Sequence, residues 1–268
     1  MYSRHSGRSR PGHKYVPRLE ALENRCCLTC VVEVAGDTLR VEGDKANNTI
    51  AIVDNGAAGI VVTCDAVASP AATGIDHVVV HTKDGNDILT YSRSAAGGNF
   101  TTDLDFSAHL GKGNDSFTAN LNGNDLAAGA DVRFHVKGEQ GADILTVNAG
   151  TAAAATDIAL GASLSVKLDG GKEGDTIAVN TAGDVDGTLK VRASGGKEDD
   201  TVAGNLVLNA GSTGSVKAKV KGGKDDDALT LNITGAGAAT AQIDAVLDGG
   251  QGTDTGIATA NVVVKRIP

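Results

Sequence analysis

The sequence predicts an all-β fold: a parallel β-helix, or β-solenoid, of about seven coils of ~27 residues, with an antiparallel hairpin cap at the N-terminal side. Three observations predict it: a turn rich in Gly and Asp that recurs along the chain, alternation of apolar and polar residues on both sides of that turn, and a scarcity of large side chains. Of the 268 residues 41% are hydrophobic but only 3% aromatic, and 36 are Gly. Such a chain suits thin stacked layers of Val, Leu, Ile and Ala better than a thick core.

The repeated turn is clearest in three close copies: GGKEGDTIAVN at 170–180, GGKEDDTVAGN at 195–205 and GGKDDDALTLN at 222–232. The last acidic residue of each turn, here called the anchor, sets the register, and Asn48 is a degenerate first anchor. The distance between anchors settles at about 27 residues, which indicates one structural unit per anchor. The anchors are Asp87, Asp115, Asp143, Asp175, Asp200, Asp227 and Asp254.

Each turn lies between two candidate strands. The segments before it alternate, as in VRFHVKG and LSVKLDG, and the second and fourth residues after the anchor are apolar or small. This period of two is typical of a strand with one buried face. A unit therefore supplies two strands joined by the turn, followed by a return segment rich in Gly, Ala and Asn.

Two topologies could use these strands, an antiparallel meander or a parallel solenoid. Five residues after the anchor lies a series of asparagines. In a solenoid they would form a column with amides hydrogen-bonded from coil to coil, whereas a meander gives their identity no purpose. The series favours the solenoid: Asn120, Asn148, Asn180, Asn205 and Asn232.

The chain divides into a basic segment, 1–30, and a repeat domain, 31–268. We expect 1–30 to be a disordered targeting or linker segment. It holds six basic and two acidic residues, which leaves 18 of 24 basic and 31 of 33 acidic residues to the rest, a net charge of −13. Within the repeat domain, 31–74 reads as the cap, with hairpins at AGD and DNG, and 75–268 as the coils.

The stretch RLEALENRCCLT at 18–29 resembles the N-terminal LExLExR signature of planctomycete surface and exported proteins. The resemblance implies an extracellular or cell-surface location. The alternative is a short amphipathic helix in which Leu19, Leu22 and Cys26 share a face. No run of about 18 apolar residues occurs, so no transmembrane span is expected. The acidic repeat domain argues against nucleic acid as the main partner.

The four cysteines are Cys26, Cys27, Cys30 and Cys64. The CCLTC cluster has no His or second CxxC at zinc-ligand spacing, which argues against structural zinc. A free or oxidised cluster and a Cys30–Cys64 disulfide both remain open.

The turns resemble the calcium-binding nonapeptide G-G-x-G-x-D-x-U-x of RTX toxins and secreted proteases, as in GKGNDSF (111–117), GGKEGDTI (170–177) and GGQGTDTG (249–256). The resemblance implies Ca²⁺ bound between neighbouring turns. The chain departs from the family in having one turn per ~27 residues, Lys at the third position, and an acid in place of the fourth-position Gly. The metal ligands implied are Asp87, Asp115, Asp143, Glu173, Asp175, Glu198, Asp199, Asp200, Asp225, Asp226, Asp227 and Asp254.

Charge repulsion supports a counter-ion in these turns. Carboxylates stacked about 4.8 Å apart repel by roughly 0.9 kcal/mol in water and about 3.5 kcal/mol at an effective dielectric constant near 20. Either Ca²⁺ or the neighbouring lysines should offset this repulsion. The alternative is that the aspartates cap the turns by accepting backbone N–H groups, with lysine columns alongside.

A column of basic residues falls at the outward positions of the strands before the turns, and we call it the basic stripe. It could bind an acidic polysaccharide, or it could only keep this face soluble. His77, His81 and His109 are expected on the same face. The basic stripe consists of His135, Lys137, Lys167, Lys190, Arg192, Lys217, Lys219 and Lys221.

The function predicted is that of an exported, non-enzymatic structural or surface protein that binds Ca²⁺ through its turns. The alternative is a polysaccharide-binding or lyase-like β-helix, in which Lys167, Arg192 and Lys219 would act beside the anchors. Catalysis needs one distinguished constellation in a cleft, and charges repeated evenly along the chain single out none. We therefore assign no catalytic residue.

Overall fold

The computed structural model describes residues 30–267. It is an all-β solenoid, as predicted, with 58% of residues in strands and about six turns of stacked parallel coils. The predicted seven coils are slightly too many, because the end units add strands without completing a coil. The expected disorder, the export signature, the alternative helix, Cys26 and Cys27 all fall in residues 1–29, outside the described residues.

Two ten-stranded sheets, A and B, form the long sides of the solenoid. Sheet A contains β1 (Val31–Ala35), β2 (Thr38–Glu42), β6 (His77–His81), β8 (Leu104–Lys112), β10 (Asp131–Gln140), β12 (Ser163–Lys172), β14 (Thr188–Gly196), β16 (Ser215–Lys224), β18 (Gln242–Gln251) and β20 (Val263–Lys265). Sheet B contains β3 (Thr49–Asp54), β4 (Ile60–Cys64), β5 (Val67–Ala68), β7 (Ile88–Arg93), β9 (Ser116–Asn120), β11 (Ile144–Ala149), β13 (Thr176–Gly183), β15 (Thr201–Leu208), β17 (Ala228–Thr234) and β19 (Thr255–Ala258).

Each coil runs along sheet A, through the Gly- and Asp-rich turn, along sheet B, and back over a third side. Neighbouring coils pair in parallel with equivalent residues opposite each other, for example Val166 with Val191 in sheet A and Asn180 with Asn205 in sheet B. The third side is irregular, and its coils meet at isolated parallel bridges. The bridge residues are Phe100, Leu126, Ile158 and Val185, all buried.

The core lies between the sheets and is filled by alternate strand residues. Tyr91, Phe106, Phe117 and Phe134 pack together near the N-terminal side, with ring centroids 5.3–5.6 Å apart. Towards the C-terminus the buried hydrophobic residues are Val, Leu, Ile and Ala. The thin aliphatic core predicted from composition is therefore confirmed for these later coils.

The N-terminal side carries the predicted hairpins, and a disulfide joins them. β1 pairs antiparallel with β2, and β3 pairs antiparallel with β4. Cys30 and Cys64 are disulfide-bonded, with their Cα atoms 6.1 Å apart. The cap is not a separate layer, because β2 and β3 also pair in parallel with β6 and β7 and so begin both sheets. No helix in residues 30–267 has the length and apolar character needed to cross a bilayer.

Candidate metal site in the acidic turns

The turns depend on glycine where neighbouring coils approach most closely. Four residues before the anchor the backbone has positive φ, for example 134° at Gly196. A Cβ atom at Gly196 would lie 2.3 Å from the carbonyl oxygen of Gly171 in the preceding coil. Because no side chain fits at Gly196, glycine there permits these coils to stack at the spacing of hydrogen-bonded strands. Lys83 and Glu139 hold the same position in two earlier turns, each with a φ of 81°.

The anchor aspartates form a continuous hydrogen-bonded ladder. The Oδ1 atom of each anchor accepts the backbone N–H of the anchor in the preceding coil, from Asn48 to Asp254, at N–O distances of 2.7–3.0 Å. All seven anchor aspartates are buried, with 1–3% of their surface exposed. The anchors therefore have the hydrogen bonds expected from the alternative in which the aspartates accept backbone N–H groups of the turns.

The second carboxyl oxygen of each anchor is also buried. In all seven, Oδ2 has no hydrogen-bond partner in the described protein. It lies over the residue five positions before the anchor, which is Gly in most coils. A Cβ atom at Gly170 would lie 2.1 Å from Oδ2 of Asp175. The first glycine of each GG pair thus makes room for the buried carboxyl.

Burial raises the pKa of six of the seven anchors. It raises the pKa of Asp143 and Asp227 to about 6, of Asp115 and Asp200 to about 7, and of Asp175 to about 8. Repulsion from neighbouring carboxylates adds to the rise in pKa. Protons therefore offset part of the repulsion in this column. From the sequence, only Ca²⁺ and lysine were expected to offset it.

The other predicted metal ligands are exposed on the same turns. Glu173, Glu198 and Asp225 lie two residues before their anchors and have φ of 66°, 67° and 72°. Other turns place Gly at this position, for example Gly113 and Gly141. A non-glycine residue at positive φ costs about 1 kcal/mol or more, so these acids occupy a backbone conformation that disfavours them.

These exposed carboxylates bridge consecutive coils. Oε2 of Glu173 accepts the N–H of Gly141 at 2.9 Å, and Oδ2 of Asp225 accepts the N–H of Glu198 at 3.1 Å.

Two further exposed acids, one residue before their anchors, bridge the coils in the opposite direction, because they accept an N–H from the following coil. Oδ1 of Asp199 accepts the N–H of Asp226 at 3.0 Å, and Oδ1 of Asp226 accepts that of Thr253 at 2.7 Å. In earlier coils Asn86 and Asn114 hold this position.

The structure thus divides the twelve predicted ligands into two columns. Seven are the buried anchors, and five are exposed acids in three successive turns. Residues 30–267 contain no group of three or more His, Cys, Asp or Glu side chains arranged as a metal site. The exposed acids that the structure brings to one edge of the coils are Glu173, Glu198, Asp199, Asp225 and Asp226.

A second ladder on the third side was missed by the sequence analysis. Oδ1 of Asp125 accepts the N–H of Asp157 at 2.9 Å, and Oδ1 of Asp157 accepts that of Asp184 at 2.7 Å. The sequence does contain a signal, since an acid or amide directly precedes each buried bridge residue. The return segments vary in length, which hides this register. The pairs are Asn99–Phe100, Asp125–Leu126, Asp157–Ile158 and Asp184–Val185.

A buried polar cluster near the N-terminal side was also missed. Arg93 contacts Asp54 at 2.7 Å, donates to the carbonyl groups of Gly97, Gly98 and Asn99, and stacks on Phe100. The hydroxyl of Tyr91 donates to Asp54 at 2.8 Å. Because these contacts engage the whole guanidinium group, we infer that the cluster holds the loop after β7 in one conformation.

The outward faces of the two sheets differ in charge. The basic stripe lies on sheet A, as predicted, where Lys167, Arg192 and Lys219 oppose one another in β12, β14 and β16. His77, His81 and His109 lie in the same sheet, and the rings of the last two stack at 5.3 Å. In sheet B the strands from β9 to β17 contain no charged residue.

The predicted asparagine ladder is confirmed on sheet B. Nδ2 of each Asn donates to Oδ1 of the Asn in the preceding coil, at 3.0–3.5 Å, from Asn232 back to Asn120.

Comparison with known proteins gives no match to a family model, to a curated protein or to a solved structure.

Proposed function

We propose that this chain is an exported, non-enzymatic structural component of a cell surface or extracellular matrix, and that it binds Ca²⁺ through the exposed carboxylates of its turns. The β-solenoid fold supports the structural role, because a stack of coils is a stiff, extended element with long side surfaces. The resemblance of 18–29 to an export signature supports the location. The resemblance of the turns to RTX nonapeptides supports the ion.

One observation carries the calcium proposal. Glu173, Glu198 and Asp225 retain an acidic side chain at a positive-φ position that other turns give to Gly. Backbone strain of this kind persists where the side chain compensates for it, often at ligand sites. With Asp199 and Asp226, these residues present five carboxylates on consecutive coils, and carboxylate oxygen is the ligand type that Ca²⁺ prefers.

Thermal unfolding tests the proposal. Millimolar Ca²⁺ should raise the melting temperature of the full chain, and EDTA should reverse the rise, because an ion that binds only the folded state stabilises it. The triple variant Glu173→Gln, Glu198→Gln, Asp225→Asn should lose the response. The matched control Glu33→Gln, Asp76→Asn, Asp244→Asn removes the same charge elsewhere and should keep it. A melting temperature that responds to neither Ca²⁺ nor EDTA would exclude calcium.

The non-enzymatic role has its own test. The chain is incubated with polygalacturonate, with and without Ca²⁺, and the products are followed by ultraviolet absorbance. We expect no unsaturated sugar to form. Its release would contradict this part of the proposal and leave the calcium result unaffected.

A further inference from the structure

The basic stripe is a regular array of cations on the flat face of sheet A. Lys167, Arg192 and Lys219 stand opposite one another on adjacent strands, which are about 4.8 Å apart in a β-sheet. Lys190 pairs in register with Lys217 one column away. The face therefore repeats its positive charge once per coil along the solenoid axis.

These cations form no close ion pair among the described residues, although Lys217 and Lys221 stand opposite Asp244 and Asp248 of β18. Lys167, Lys190, Arg192, Lys217, Lys219 and Lys221 form no ion pair within residues 30–267. Arg133 on neighbouring β10, by contrast, pairs with Asp131 at 3.0 Å. Like charges directly opposite each other in a sheet are destabilising, so the array weakens the fold that carries it.

The surface around the basic stripe also contains two shallow depressions. A shallow depression of about 420 Å³ is lined by Lys167, Asp169, Arg192, Ser194, Lys219 and Lys221. A second depression of about 390 Å³ adjoins it on β12 and β14, between Arg133, Ser165 and Lys190. The first depression crosses β12, β14 and β16 and has the hydroxyl group of Ser194 beside its cations, whereas the second lies nearer the start of the strands and also contains Asp131 and Asp186.

The spacing of the cations and the residue types on this face indicate which class of polyanion it can bind. Duplex DNA carries one charge per ~1.7 Å, far denser than one cation per strand, and the acidic remainder of the chain would repel it. Single-stranded nucleic acid binds largely by stacking bases on aromatic rings. Every aromatic side chain in residues 30–267 is buried in the core. A sparse polyanion that binds by charge and hydrogen bonds fits better.

We propose that the part of the basic stripe on β12, β14 and β16 binds a linear acidic polysaccharide with one carboxylate per sugar. The polymer runs across the strands, so that Lys167, Arg192 and Lys219 each meet one carboxylate. A sugar ring is about as long as one strand spacing, so successive sugars stay in step with successive coils. The site is separate from the exposed turn acids and does not depend on calcium.

The test uses the full chain and oligogalacturonate in titration calorimetry. EDTA is present, so that Ca²⁺ cannot bridge protein and sugar and failure of the calcium proposal leaves this result intact. We expect saturable binding that weakens as salt is added. Replacing Lys167, Arg192 and Lys219 together by Gln should weaken it about tenfold or more, since three exposed ion pairs are lost.

The chain provides a matched control variant. Replacing Lys172, Lys197 and Lys224 by Gln removes the same charge from the same three coils, but at the turns, and should change the affinity by less than about twofold. Melting curves check the fold of both triple variants, and Lys219→Gln alone replaces the stripe variant if that variant unfolds. Equal loss in both variants would reduce the effect to net charge and overturn the proposal.

Two other measurements could overturn it. An oligonucleotide of equal charge that binds more tightly than the sugar at the same salt concentration would make the ligand a nucleic acid. Sedimentation of the free chain at low salt would identify a second copy as the occupant, if self-association is present and the stripe variant abolishes it.

Discussion

The same turns carry two columns of carboxylates that lie one or two residues apart in sequence and differ in burial. The anchors are buried and accept a backbone N–H from the preceding coil, and burial raises the pKa of six of them, Asp87, Asp115, Asp143, Asp175, Asp200 and Asp227. Glu173, Glu198, Asp199, Asp225 and Asp226 are exposed. The comparison teaches that a recurring acidic residue can be buried or exposed within the same turn. Its depth in the coil decides whether it can face a solvent ion.

The largest effect should follow from removing a buried anchor. Asp200→Ala leaves the N–H of Asp175 without its acceptor and opens a cavity, so we expect a loss of about 3 kcal/mol in the free energy of unfolding. Asp200→Asn keeps an oxygen acceptor, as Asn48 does in the first coil, and should cost less. Chemical denaturation measures both. Equal losses would mean that the carboxyl group matters for its charge and not as an acceptor.

The second-largest effect should be the pH dependence of stability, which distinguishes the buried anchors from the exposed acids. The folded-state pKa values of five anchors lie at about 6–8, above the ordinary value of 3.8. Because these pKa values are raised, the folded chain binds more protons than the unfolded chain. The stabilisation that results from this proton binding is complete below pH ~4 and is lost as pH rises through about 6 to 8. We expect a melting temperature roughly 5 °C or more higher at pH 5 than at pH 9.

Asp175→Asn should reduce this pH dependence, because it removes the anchor with the highest of these pKa values. The Glu173→Gln variant, two residues away in the same turn, should reduce it less, because repulsion from Glu173 is a smaller cause of the raised pKa of Asp143 and Asp175 than burial is. A melting temperature that rises between pH 5 and pH 9 in the unmodified chain would show that the anchors are ionised in the folded state.

The smallest effect concerns an exposed acid. Glu198→Gly relieves the positive φ of 67° and should stabilise the chain by about 0.5–1 kcal/mol in EDTA, while it weakens the response to Ca²⁺. Lys197→Gly is the matched control. It changes the neighbouring turn residue without relieving a positive φ and should not stabilise. Loss of stability in Glu198→Gly would mean that the carboxylate contributes more than the strain costs.

Much of the fold could be predicted because equivalent residues of a solenoid recur at a nearly regular spacing in the sequence. The anchors, the alternation in sheets A and B and the asparagines from Asn120 to Asn232 each recur in one register. The depth of the anchors could not be predicted from spacing alone. It depends on the room left by residues such as Gly170, five positions upstream, and on how closely Gly196 approaches Gly171. The third-side ladder at Asp125 and Asp157 was hidden because the return segments differ in length.

The anchor ladder also makes the molecule extensible. Each anchor accepts the N–H of the anchor in the coil before it, so a duplicated 201–227 segment would bring one carboxyl oxygen that accepts and one backbone N–H that donates, and both would find matching neighbours. Length could then change by whole coils without redesign of any contact between them. Duplication of a gene segment that encodes one coil would lengthen such a protein, and deletion of one would shorten it.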